Sequence, residues 1–128
     1  MRQYNSVSIV IPVYNEKKSL SKIIAKVQSA TCLGLSKEII IVDDGSTDGT
    51  GQLLKKIRIK GLKKIYLEEN QGKGTALRAG FAQATGQIVI VQDADLEYNP
   101  ADYPVLLSPI LAGTSQVVYG SRELTINT

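Results

Sequence analysis

The chain has 128 residues, 43% hydrophobic and 21% charged, which suits one globular domain with a single packed core. A net charge of +3 is too mild to argue for a nucleic-acid partner. The absence of histidine and the single cysteine exclude a Ser-His-Asp triad, a Cys-His dyad and a zinc site built on nitrogen or sulfur ligands.

The first strand is expected at 7–13, within an N-terminal stretch, MRQYNSVSIVIP, that lacks the apolar core and small-residue cleavage site of a signal peptide. Leu20, Ile23, Ile24 and Val27 then fall at helical spacing. A second strand follows at 38–43, where IIIV (39–42) is continuously apolar, as strands covered on both faces are. A helix at about 48–57 leads into a basic cluster, Lys55, Lys56, Arg58, Lys60, Lys63 and Lys64. That cluster reads as a solvated helix end and loop, with an anionic membrane surface as the sharper alternative. Strand 64–67, a weaker helix at about 72–84 and strand 87–92, with IVIV at 88–91, come next. Asn99 and Pro100 are a good N-cap and first-turn pair for a last helix with Tyr103, Leu106, Leu107 and Ile110 on one face, before a strand at 116–119.

This alternation predicts an α/β fold, a doubly wound, mostly parallel sheet with helices on both faces. Residues 1–128 read as one domain, without internal repeat or linker. No apolar run approaches the ~20 residues that span a bilayer. With Cys32 unable to form an internal disulfide, a cytoplasmic location is expected.

In open parallel sheets, ligands bind beyond the carboxyl ends of the strands, where this sequence concentrates its polar residues. Asp93 and Asp95 follow a buried strand, and alternation puts both carboxylates on one side if the chain stays extended. Two such charges about 4 Å apart repel by about 4 kcal/mol at an effective dielectric near 20. Mg²⁺ or Mn²⁺, held by one or two carboxylates plus substrate phosphates, relieves that repulsion, and Glu97 adds a third candidate ligand. A solvated acidic turn is the bland alternative. Asp43 and Asp44 close the second strand; a carboxylate there can accept from a base N–H or a ribose hydroxyl, while Gly45 to Thr50 supply turn and cap residues. The segment NQGKGT (70–75) matches neither the P-loop nor the dinucleotide glycine pattern. It reads as a glycine-eased helix start, with Lys73 either solvated or reaching toward the cleft. Arg122, after the last strand, can grip a phosphate with both guanidinium arms.

Taken together, SIVIPVYNE (8–16), EIIIVDDGSTDGT (38–50), NQGKGTALRAG (70–80), VQDADLEYNPADYPVLLSPI (91–110) and VVYGSRE (117–123) resemble glycosyltransferase family 2, the inverting enzymes with the GT-A fold. The stretch DLEYNPADYPVLL is most similar to the branch that glycosylates polyprenyl or dolichyl phosphates. The resemblance implies that Pro12, Tyr14, Glu16, Val42 and Asp44 line the base and ribose pocket. It makes Asp93, Ala94 and Asp95 the D-x-D element, with Asp95 the first metal-ligand candidate. Glu97 stands where that branch often has glutamine, and Arg122 matches an arginine near the phosphates. Implied too are a UDP- or GDP-sugar donor, a lipid-phosphate or glycan acceptor, and envelope glycan synthesis at the inner face of the plasma membrane. Family domains continue for about a hundred residues more, close to another half-domain. The chain is therefore expected to be the nucleotide-sugar half, truncated on its C-terminal side, where the acceptor site, any membrane contact and any catalytic base would lie.

Three rival readings stand beside this one. IVIVQDADL (88–96) resembles the strand that carries the nucleophile of haloacid-dehalogenase-like phosphatases, but Glu97 stands where that class wants Thr or Val. A receiver-type signalling module would carry its acidic pair on the first strand rather than the second. A module that binds nucleotide sugars without transferring them is the third.

Overall fold

The computed structural model describes residues 4–94, 99–111, 117–119 and 124–126. Strands β1 (Ser6–Val13), β2 (Ser36–Asp44), β3 (Leu62–Leu67), β4 (Ile88–Val91), β5 (Val117–Tyr119) and β6 (Leu124–Ile126) form one sheet in the order β3-β2-β1-β4-β5-β6. The first five are mutually parallel, and β6 alone runs antiparallel, against β5. Helices α1 (Leu20–Ser29), α2 (Thr50–Lys56), α3 (Lys73–Gln83) and α4 (Tyr103–Leu111) occupy the crossovers. The doubly wound, mostly parallel sheet expected from the alternation is what forms.

The central strands alternate between two cores. Val7, Ile9 and Ile11 of β1, with Ile39, Ile41, Ile88 and Ile90, meet Leu20, Ile23 and Val27 of α1, Leu54 of α2 and Leu107 of α4. Val10, Ile40 and Val42 face the opposite side, against Ala76 of α3. That second interface is thin because α3 lies close to the sheet: a Cβ on Gly80 would stand 2.4 Å from a Val10 methyl carbon. A helix that packs through alanine and glycine carries little amphipathic signal, hence its weak appearance in the sequence. At the start of α4, the Asn99 side chain accepts from the Ala101 N–H and a 3₁₀ turn (Pro100–Asp102) precedes the helix, as the Asn-Pro pair implied.

Two lysines close the far end of the sheet. Lys37, at the start of β2, donates to the carbonyls of Val27, Gln28 and Ala30 at 2.6–2.7 Å and so caps the negative end of α1. Lys63 pairs with Glu38 at 2.6 Å and donates to the Gln83 carbonyl at the end of α3. The Glu38 carboxylate also accepts from Ser8 Oγ, Thr85 N–H and Thr85 Oγ1. The basic cluster is thus partly structural: Lys64 donates to the Ile57 carbonyl, and the Lys55 amine sits 5.4 Å from the centre of the Tyr66 ring.

Burial alone would raise the Glu38 carboxyl; Lys63, Ser8 and Thr85 together outweigh it and hold the group at about 2, from 4.5. A depressed folded-state value contributes stability above the unfolded value and loses it as pH falls toward the folded one. Between about pH 4.5 and pH 2, the urea midpoint of the wild type is therefore expected to fall more steeply than that of Glu38→Gln. Parallel curves would remove Glu38 from the stability account.

Candidate functional site

The chain leaves β1 through Tyr14, Asn15 and Glu16, and this loop is shaped by the one after β2. Asn15 takes a left-handed backbone conformation (φ 53°), which asparagine tolerates well. Its N–H donates to Ser46 Oγ at 2.9 Å and its side-chain oxygen accepts from the Thr47 N–H at 2.8 Å. Glu16 N–H donates to Thr50 Oγ1, and Lys17 N–H to Asp48. Asp48 also receives both the N–H and hydroxyl of Thr50, the hydroxyl being the main reason its carboxyl lies below the usual range. The GSTDGT segment is therefore a clamp on the first loop as well as a helix start.

Asp44 organises the third loop. Its buried carboxylate accepts from the Gln71 N–H (2.8 Å), the Gly72 N–H (2.9 Å) and Asn70 Nδ2 (3.1 Å). Gly45 makes that approach possible: at φ 70° a Cβ there would lie 2.3 Å from the carbonyl carbon of Glu69. α3 then starts at Lys73, with its positive end at the same sheet edge.

A cavity of about 380 Å³ opens between these loops at the carboxyl ends of β1, β2 and β4. That volume suits a small organic ligand, for which clefts run from roughly 300 to 1,000 Å³. Of the residues expected from sequence, Pro12, Tyr14, Glu16, Asp44, Lys73, Asp93 and Ala94 line it. Two expected pocket residues do not. Val42 lies on the same face of β2 as Asp44 but deeper in the sheet, fully buried beneath α3 in the smaller core. Asp43 turns the other way: its Oδ1 accepts from the Ser46 N–H and its Oδ2 points at the start of α2, where a Cβ on Gly51 would stand 2.7 Å away. Asp95, Glu97 and Arg122 lie outside the described residues. Val13, Asn70, Gly72 and Ala76 complete the wall and were not singled out as site residues in the sequence, although NQG and its spacing from Asp44 were visible.

The wall is electrically lopsided. Among the described residues it carries the carboxylates of Glu16, Asp44 and Asp93 against the amine of Lys73. Lys73 reaches Asp93 at 2.5 Å, but its side chain is 54% exposed, so the pair contributes at most about 1 kcal/mol and can open easily. Tyr14, 44% exposed, presents its ring at the mouth. Asp93 offers one hard oxygen donor to the cavity. Among the described residues no three acidic or sulfur side chains converge on a point. A divalent cation shared between one or two carboxylates and a ligand's phosphates fits this donor set; a site made wholly of described protein ligands does not.

If Asp44 holds the third loop, Asp44→Asn should cost about 1–3 kcal/mol, because an amide group then faces N–H donors that lose their acceptor. Hydrogen exchange at the Gln71 and Gly72 amides should accelerate selectively. Unchanged protection at both would show that the loop is held by something else.

Residues 8–127 match the family model described as "Glycosyl transferase family 2". A curated relative from Proteus mirabilis, undecaprenyl-phosphate 4-deoxy-4-formamido-L-arabinose transferase, is 41% identical over 123 residues, covering 93% of this chain and 37% of its own length. The chain thus spans a little over a third of that relative. The crystal structure of S. aureus TarS 1-349 in complex with UDP-GlcNAc superposes with a TM-score of 0.72 at 29% identity, over 86% of this chain and 32% of the other. Glucosyl-3-phosphoglycerate synthase from Mycobacterium tuberculosis, in complex with Mn²⁺, uridine diphosphate and glucosyl-3-phosphoglycerate, gives 0.69 at 29% identity, over 87% and 42%.

Proposed function

The chain belongs to glycosyl transferase family 2, and on that premise we propose that it forms the donor half of an inverting, metal-dependent glycosyltransferase that binds a UDP- or GDP-sugar. The observation that carries this reading is the acidic cavity at the strand ends, with an aromatic ring at its mouth and a separable Lys73–Asp93 pair in its wall. An anionic diphosphate entering beside the carboxylates of Glu16, Asp44 and Asp93 and the amine of Lys73 meets net repulsion, which a divalent cation arriving with it relieves.

In this reading the Tyr14 ring supports the base at the mouth, while Asp44 shapes the far wall and keeps lone-pair capacity for a ribose or base donor. Lys73 exchanges its carboxylate partner for a phosphate oxygen, and Arg122 grips the same diphosphate. Asp93, with Asp95 and Glu97 beyond it in the chain, would hold Mg²⁺ or Mn²⁺. When bound, that ion neutralises charge developing on the nucleoside-diphosphate leaving group, an effect worth several kcal/mol. Attack at the anomeric carbon from the face opposite the leaving group inverts configuration. A polyprenyl-phosphate acceptor, the kind that the Proteus relative's name specifies, is already anionic and needs no general base, whereas a glycan hydroxyl does.

Work on a lipid phosphate implies the inner face of the plasma membrane. Among the described residues no helix is long and apolar enough to cross a membrane. Binding of the nucleotide sugar without transfer is the second reading, and it shares the same site.

Titration calorimetry with UDP- and GDP-sugars separates these claims from chance affinity. Mn²⁺ should tighten donor binding at least tenfold, a difference of about 1.4 kcal/mol, and Asp93→Asn should abolish that gain. Donor binding that is indifferent to both metal and Asp93 would overturn the metal reading.

A further inference from the structure

Gln92 is the first residue beyond β4 and is fully buried, although its neighbours on the strand are isoleucine and valine. An amide in such a place is costly unless its polar atoms are satisfied, and a leucine would fill similar space without that demand. Its polar atoms are used in a particular way. The backbone N–H donates to the Val10 carbonyl at 2.9 Å, tying the strand end to β1. The side-chain Oε1 accepts from the Tyr103 hydroxyl at 2.8 Å, inside the core. Nε2 donates to the backbone carbonyl of Asp93 at 3.1 Å.

Tyr103 opens α4 and is itself fully buried. The Gln92–Tyr103 hydrogen bond fixes which way the Gln92 amide faces and so aims Nε2 at the Asp93 carbonyl. Fixing a donor group in advance lowers the entropy that a ligand would otherwise have to remove. The bond to the Asp93 carbonyl also orients the 93–94 peptide, and with it the direction in which the Asp93 side chain leaves the backbone.

We infer that Tyr103 and Gln92 form a buried positioning pair that sets the geometry of Asp93 for cation binding. This rests on the reading of Asp93 as a metal ligand. Neither residue lines the cavity; each acts through Asp93. Groups that orient a ligand from behind are worth about ten- to a hundredfold in metal affinity where they have been removed.

The test uses the 128-residue chain with UDP and Mn²⁺, reading free Mn²⁺ by electron paramagnetic resonance and stability by urea denaturation. Tyr103→Phe removes one hydroxyl, and Gln92→Leu removes the amide at similar volume. Both should weaken Mn²⁺ binding in the presence of UDP by about tenfold. Leu107→Ala, in the same helix and core, should lower stability at least as much while leaving Mn²⁺ affinity unchanged. Tyr103→Phe and Gln92→Leu chains that bind Mn²⁺ as tightly as wild type overturn this inference alone. So does a loss of affinity shared by Leu107→Ala, which would reduce the pair to general stability. A wild-type chain with no affinity for Mn²⁺ overturns the metal reading and this inference with it.

Discussion

The site depends first on the buried carboxylate of Asp44, which three hydrogen-bond donors from residues 70–72 satisfy together. Those bonds bring the loop before α3 onto the end of β2, and without them Asn70, Gly72 and Lys73 would not share a wall with Tyr14 and Asp93. Gly45 is the steric condition for the arrangement, since the Glu69 backbone occupies the space where a side chain would begin. The opposite wall is built by an analogous device, in which Asn15 and the Ser46–Thr50 segment exchange hydrogen bonds between two loops. The parallel sheet contributes the placement: three strands end at one edge, and their loops have to meet there.

A site assembled in this way is rigid in its frame and unbalanced in its charge. Two of its three acids are already engaged in structure: Asp44 by the loop, and Glu16 by the Ser19 hydroxyl at 2.7 Å. Asp93 is paired with a half-exposed lysine amine, a partner that water or an incoming ion can readily replace. A local excess of negative charge beside a helix N-terminus would be awkward for a metal-free phosphate site. It is suitable where the phosphate arrives with a divalent ion.

Much of this was legible in the sequence, for identifiable reasons. Continuous apolar runs such as IIIV and IVIV mark buried parallel strands, and the i, i+3, i+4, i+7 set from Leu20 to Val27 marks the face of α1. The clustering of acids and glycines after those strands located the cleft, and the family resemblance supplied Pro12, Tyr14 and Glu16. What stayed hidden depends on pairings between distant segments. Asp43 and Asp44 look equivalent as letters, yet neighbours on a strand face opposite sides, and Asp44 alone reaches the cavity. Val42 shares the Asp44 face of the strand but lies deeper in the sheet, covered by α3, and so stays out of the wall. Lys37 as a cap for α1 and Glu38 as the hub of a polar cluster involve partners up to 47 residues away. The strand β6 has three residues, too few to show any period.

The most direct test of a cation held at the end of β4 is spatial. Two-dimensional amide NMR of the chain with UDP, titrated with substoichiometric Mn²⁺, reports distance from the bound ion through paramagnetic broadening. The account predicts that Lys73, Asp93 and Ala94 broaden first, with Tyr14 and Gly72 following, and that Lys37 and Glu38 at the far end of the sheet stay sharp. Broadening centred elsewhere, or spread evenly over the surface carboxylates, would contradict it.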